Sequence, residues 1–176
     1  MFCNKAWVTC FAQISLKNAT VKIKDGGAQE ITVTIGEGNL TYSENVEREY
    51  VLDRGNLDTV RDGDDQPVQL SFDFTWEYIT SSVSTTGGDY PTVEDALKQA
   101  GDASDWVSSD TDACAPYAVD IEVTYAPTPS TCGDKEIITF ADFRYETLDH
   151  DLRAGTVSCS GRANITKATV VRSVQS

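Results

Sequence analysis

Residues 67–79, PVQLSFDFTWEYI, alternate without a break. Val68, Leu70, Phe72, Phe74, Trp76 and Tyr78 are apolar, and Gln69, Ser71, Asp73, Thr75 and Glu77 between them are polar. A period of two gives a strand one dry face and one wet, acidic face, whereas a helix would spread the apolar residues over all its sides. The pattern returns at Val119, Ile121, Val123 and Tyr125, and again at Val157, Cys159, Gly161, Ala163 and Ile165. A chain with several half-buried strands must pair and stack them, so the expected fold is mainly β: a sandwich or open barrel.

Other elements fall around these strands. Ala19, Val21 and Ile23 alternate before Asp25-Gly26-Gly27, and Ile31, Val33 and Ile35 alternate after it, which predicts a hairpin. One flanking α-helix is expected from Thr92. Thr92 can act as N-cap with Asp95 three residues on, and Val93, Ala96, Leu97 and Ala100 share a face before Gly101. Lys135 to Tyr145 reads as the second arm of a hairpin after Tyr125, and residues 155–174 as a long last strand bent at Gly161. Trp106 is expected to anchor the acidic loop carrying Asp102, Asp105, Asp110 and Asp112.

Residues 36–66 break the pattern. They are dense in charge and glycine, yet hold Tyr42, Val46, Tyr50, Val51, Leu52, Leu57 and Val60, too many for a solvated linker. The segment reads as a long loop that packs on something else, such as another subunit. Its contact candidates are Tyr42, Glu47, Arg48, Tyr50, Asp53, Arg54, Asp58 and Arg61.

The whole chain of 176 residues fits an N-terminal arm over 1–15 and a single domain over 16–176. A formal net charge of −14 repels phosphate, which disfavours specific nucleic-acid binding. No stretch approaches the ~18 consecutive apolar residues of a membrane span, and residues 1–15 lack the cleavage pattern of a secretory signal. Production in a cytoplasm is therefore expected. The five cysteines, Cys3, Cys10, Cys114, Cys132 and Cys159, are odd in number, widely spaced and without a C-x-x-C pair. They read as small buried hydrophobes rather than a disulfide framework or zinc site, with Cys114 and Cys132 the one pair that could meet.

Catalytic chemistry finds little support in the residues. The single histidine, His150, lies between Asp149 and Asp151 and reads as a salt-bridge partner. No nucleophile elbow, metalloprotease, phosphate-loop or dinucleotide pattern occurs. Asp62, Asp64 and Asp65 lack the register of a calcium loop. Asp73 with Glu77, and Asp120 with Glu122, share strand faces, as any wet face would arrange. The expectation is a protein without enzymatic activity, metal or cofactor. A carbohydrate-binding sandwich using Trp7, Trp76 and Trp106 is an alternative, weakened because alternation puts Trp76 on the dry face.

Taken together, EYVLDRGNLDTVRDGDDQPVQLSFDFTWEYI (49–79), YPTVEDALKQAG (90–101), CAPYAVDIEVTYAP (114–127) and FADFRYETLDHDLRAGTVSCSGRANITKATVVR (140–172) resemble the major tail tube protein of long-tailed bacteriophages. The likeness runs in the same order over most of the chain beyond residue 16. It implies a β-sandwich with one flanking helix, hexameric rings whose sheets join between subunits into a lumenal barrel, and stacking of rings into a tube. Through that tube genome DNA passes without specific binding. It also implies that the long loop over 36–66 reaches neighbouring subunits, and that other tail proteins (tape measure, terminators, a sheath) are partners in a virion assembled in the host cytoplasm. Lumen-facing candidates are then Asp73, Glu77, Asp120 and Glu122, because an acidic bore keeps DNA from adhering. A secretion-system tube or a capsid decoration protein would share this physics.

Overall fold

The computed structural model describes residues 19–33, 35, 39–76, 91–126 and 134–173. The N-terminal arm, Trp7, Glu77, Cys3, Cys10, Cys132 and with it the Cys114–Cys132 pairing lie outside them.

In chain order the elements are β1 (Ala19–Lys24), β2 (Glu30–Val33), β3 (Leu40–Ser43), β4 (Arg48–Asp53), β5 (Asn56–Asp62), β6 (Val68–Thr75), α1 (Val93–Lys98), β7 (Val119–Tyr125), β8 (Lys135–Asp151), β9 (Thr156–Ala163) and β10 (Thr169–Ser173). The protein is mainly β, with a large antiparallel sheet and one short helix, as the alternation predicts. The expected hairpin forms between β1 and β2, with Ile23 opposite Ile31 and Val21 opposite Val33.

β8 organises the sheet because it belongs to two layers. Its N-terminal half pairs β7 on one edge and β10 on the other, and beyond Phe143 its partner is β9. Layer one is therefore β2-β1-β7-β8-β10, and layer two is β8-β9-β6-β3. The change of layer coincides with a bulge, where the register against β7 shifts between Val119 and Ile121 and Asp142 takes a φ of 54°. The Asp120 carboxylate accepts the Asp142 N–H at 3.0 Å, and Ser109 Oγ donates to Asp142 at 2.9 Å, which hold the bulge from both sides. The strand is much longer than the 135–145 expected because a second register shift, against β9 between Tyr145 and Thr147, breaks the period of two without ending the strand.

The inward faces of the layers form one core. Val21, Ile23, Ile121 and Phe140 from layer one meet Leu70, Phe72, Phe74, Val157 and Cys159 from layer two, all buried. Burial of each large side chain contributes about 2 kcal/mol. Trp106 is buried with them, the anchor expected of its loop. Burial pushes the Cys159 thiol up to about 12, in keeping with an inert core hydrophobe.

The helix begins as expected. The Thr92 hydroxyl accepts the Asp95 N–H at 3.0 Å, and Asp95 accepts the Thr92 N–H at 3.1 Å, a reciprocal cap. It ends sooner than expected, since Gln99 turns left-handed at φ 51° and leaves Ala100 outside. Val93, Ala96 and Leu97 face the core, and the Tyr117 hydroxyl donates to the Ala96 carbonyl at 3.0 Å.

Further expectations need correction. Cys114 is exposed, not the buried hydrophobe expected of it. Of the segment 36–66 the described part, 39–66, is not a loop: it contributes β3 to layer two, then a separate two-stranded hairpin, β4 and β5, before β6. The last strand does not bend at Gly161 but breaks over 164–168, and β10 resumes along the edge of β8 that β9 followed. Gly161 is instead a point of close approach. A Cβ there would lie 2.1 Å from the Arg144 carbonyl oxygen, beside the β8 register shift between Tyr145 and Thr147.

Candidate functional site

The β4–β5 hairpin is an arm with no layer behind it among the described residues. Arg54 and Gly55 make its two-residue turn with φ of 50° and 83°, the doubly positive geometry that matches strand twist. Directly opposed residues share a face, so Arg48 with Asp62, Tyr50 with Val60, and Leu52 with Leu57 line one side. Arg48 and Asp62 form an ion pair at the base of that side. The apolar four are all exposed, Leu57 to 70%. The base itself is closed by Gly63 N–H donating to the Glu47 carbonyl at 3.0 Å, and Gln66 Nε2 donates to the Glu47 carboxylate.

Seven of the eight contact candidates of the sequence lie on this arm or at its base. Glu47, Arg48, Tyr50, Asp53, Arg54, Asp58 and Arg61 are exposed on the arm or at its base. Arg61 stands opposite Glu49, and Asp58 sits where the register shifts. Tyr42 is different: it belongs to β3, and its ring meets Phe140 edge-on at 5.0 Å.

The outer faces of the layers differ in chemistry. On layer one the acids are engaged: Lys24 holds Glu122 at 2.7 Å, Lys22 holds Glu30 at 2.5 Å, and Asp120 is spent on the β8 bulge. On layer two the side chains run in rows across the strands. Thr147, Ser160, Ser71 and Thr41 form one row, and Asp149, Ser158 and Asp73 the next, with Ser158 Oγ donating to Asp73 at 2.6 Å. Arg162 bonds Glu146 at 3.3 Å at the side of this hydroxyl face. The outer faces of a sandwich point apart. Of the lumen candidates, Asp73 thus lies on one face and Asp120 and Glu122 on the other, and a single bore can take one set only.

Among the described residues layer two also leaves both its edges open. β3 pairs β6 alone, and past Phe143 the edge of β8 that β7 had occupied meets no strand among the described residues. Sequence reasoning missed this second edge, because neither the length of β8 nor the point where β7 leaves it shows as a pattern.

His150 contacts neither flanking aspartate, as expected from sequence, but Glu94 of α1 at 3.3 Å. The Lys98 ammonium, and after it His150, hold the Glu94 carboxyl below its usual range. Trp76 packs edge-on against His150 at 5.9 Å and is 47% exposed, because β6 ends at Thr75 and the alternation lapses there. Among the described residues no group of three or more metal-ligating side chains converges.

No family model and no curated protein matches the chain. Among solved structures it is similar to a chain in the cryo-EM structure of the anti-feeding prophage (AFP) baseplate, 6-fold symmetrised. The TM-score is 0.45 at 8% identity, over 88% of this chain and 92% of that one.

Proposed function

We propose that the chain is a structural virion protein whose copies join head to tail into hexameric rings and stack into a tail tube. It has no catalytic role in this reading. The observation that carries it is a sheet that, among the described residues, is open at both ends of layer two, on a protein that also extends an arm whose apolar side no described residue covers. Exposed edges promote association, and a closed ring consumes them without leaving a growing fibre of strands.

A barrel built from many such sheets is too wide to fill with side chains and holds water, so its inward face is polar. The outer face of layer two suits that position. Beside its hydroxyl rows and the Asp73 and Asp149 carboxylates stand two cations, Arg162 and Arg144, and both are engaged, by Glu146 and Asp110, which leaves DNA no free cationic foothold there. Phosphate is repelled and DNA slides through without binding. The arm then reaches a neighbouring copy, in the same ring or the next, and covers Tyr50, Leu52, Leu57 and Val60. Tape measure, terminator and sheath proteins are the remaining partners of a tube assembled in the host cytoplasm. A tube of a secretion system would use the same surfaces.

Negative-stain electron microscopy of the purified protein at high concentration tests this reading. Rings or tubes are expected; a protein that stays monomeric across concentration and salt overturns it.

A further inference from the structure

Resting on that ring reading, we infer which edges meet: β3 of one copy pairs antiparallel with residues 144–151 of β8 in the next, bringing Tyr42 beside Tyr145 of the neighbouring copy.

Strand sense selects this seam. Layer two has four strands, β8, β9, β6 and β3, each antiparallel to the next. Its outermost strands therefore run in opposite senses, and a head-to-tail repeat places β3 against the following β8 as one more antiparallel pair. Layer one has five strands, β2, β1, β7, β8 and β10, all antiparallel in turn. Its outermost strands, β2 and β10, run in the same sense and could meet in a ring only as a parallel pair, the less stable arrangement.

The side chains at the two edges fit. Tyr42, Leu70, Gly161 and Tyr145 form one row across layer two on its core side. The middle of this row is buried, while its ends are 42% and 38% exposed. Leu40, Phe72, Cys159 and Leu148 repeat the pattern in the next row, with partly buried ends. Both rows are incomplete at the two edges that the seam would join. Closing it sets aromatic and aliphatic side chains side by side across a strand pair. On the opposite face Thr41 and Thr147 continue the hydroxyl row from copy to copy. β3, LTYS, carries neither charge nor proline, the residues that guard an edge against pairing.

Cysteine pairs test the seam. Thr41→Cys or Ser43→Cys is combined with Thr147→Cys or Asp149→Cys in a Cys114→Ser background, and the protein is oxidised after assembly. Within one copy β3 and β8 stand three strand spacings apart, ~14 Å, beyond the ~7 Å reach of a disulfide. Any such link therefore joins two copies. The expected result is a ladder of reductant-sensitive multimers whose mapped peptides join β3 to β8. Ordered rings in which none of the four pairs links, or in which Thr32→Cys on β2 links to Thr169→Cys on β10 in their place, overturn the seam and leave the ring reading standing. Monomers that neither assemble nor link overturn both.

Discussion

Tyr42 and Tyr145 end the same inward row of layer two from its opposite edges, each about three-fifths buried by its own copy, with Leu70 and Gly161 between them. Their remaining exposure is what a neighbouring copy would remove. Losing an aromatic pair costs ~1 kcal/mol beyond the area it buries, so Tyr145→Ala is expected to raise the critical concentration for assembly roughly tenfold. Tyr145→Phe keeps the ring and is expected to assemble normally. Sedimentation across a concentration series reads both, and an unchanged threshold for Tyr145→Ala contradicts the pairing.

The arm is expected to be separable from the sandwich. Because Gly63 N–H already bonds back to the Glu47 carbonyl, replacing Arg48–Asp62 by a two-residue Gly-Gly turn leaves a closed turn with that bond kept. The shortened protein should keep its β circular dichroism and its cooperative unfolding but form no tubes. Tubes of normal length from this variant would show that the arm takes no part in assembly.

Gly161→Ala should be among the most damaging single changes. The added Cβ would sit 2.1 Å from the Arg144 carbonyl oxygen and 2.8 Å from Phe143 Cζ, so β8 and β9 would have to separate. A loss of about 3 kcal/mol or more is expected, measured by urea unfolding of the unassembled protein.

Alkaline stability should depend on Tyr117. Burial, and next the Asp25 charge, push its phenol up to about 12. A folded pKa above the unfolded value of ~10 gives stability that is fully present below pH ~10 and lost as pH rises towards 12. The wild type should therefore lose more stability over that window than Tyr117→Phe, although the variant starts lower for want of the bond to Ala96. Parallel slopes in denaturant titrations at pH 9, 10 and 11 would contradict this.

What the sequence showed depended on whether a strand had a buried face. β1, β6, β7 and β9 each bury every second residue, so period-two reading located them within a few residues. β4 and β5 bury no residue, and their charges and turn residues made them look like a loop. The apolar excess in 36–66 was nonetheless the correct signal of an uncovered surface. β8 runs beyond the stretch its alternation marks because the register shift between Tyr145 and Thr147 resets the period of two, and Trp76 is half-exposed because the apolar pattern extends past Thr75, where β6 ends. The three described lumen candidates, Asp73, Asp120 and Glu122, share a chemistry but not a face. That division depends on strand order, to which local spacing is blind.

Cryo-electron microscopy of the assembled protein at a resolution that separates strands tests the central claim most directly. The expected map shows sheets continuous from copy to copy, β3 beside the next copy's β8, enclosing a bore lined by Asp73, Ser158, Ser160 and Thr147. Copies that meet only through side chains, with the edges of β3 and β8 still unpaired, would contradict it.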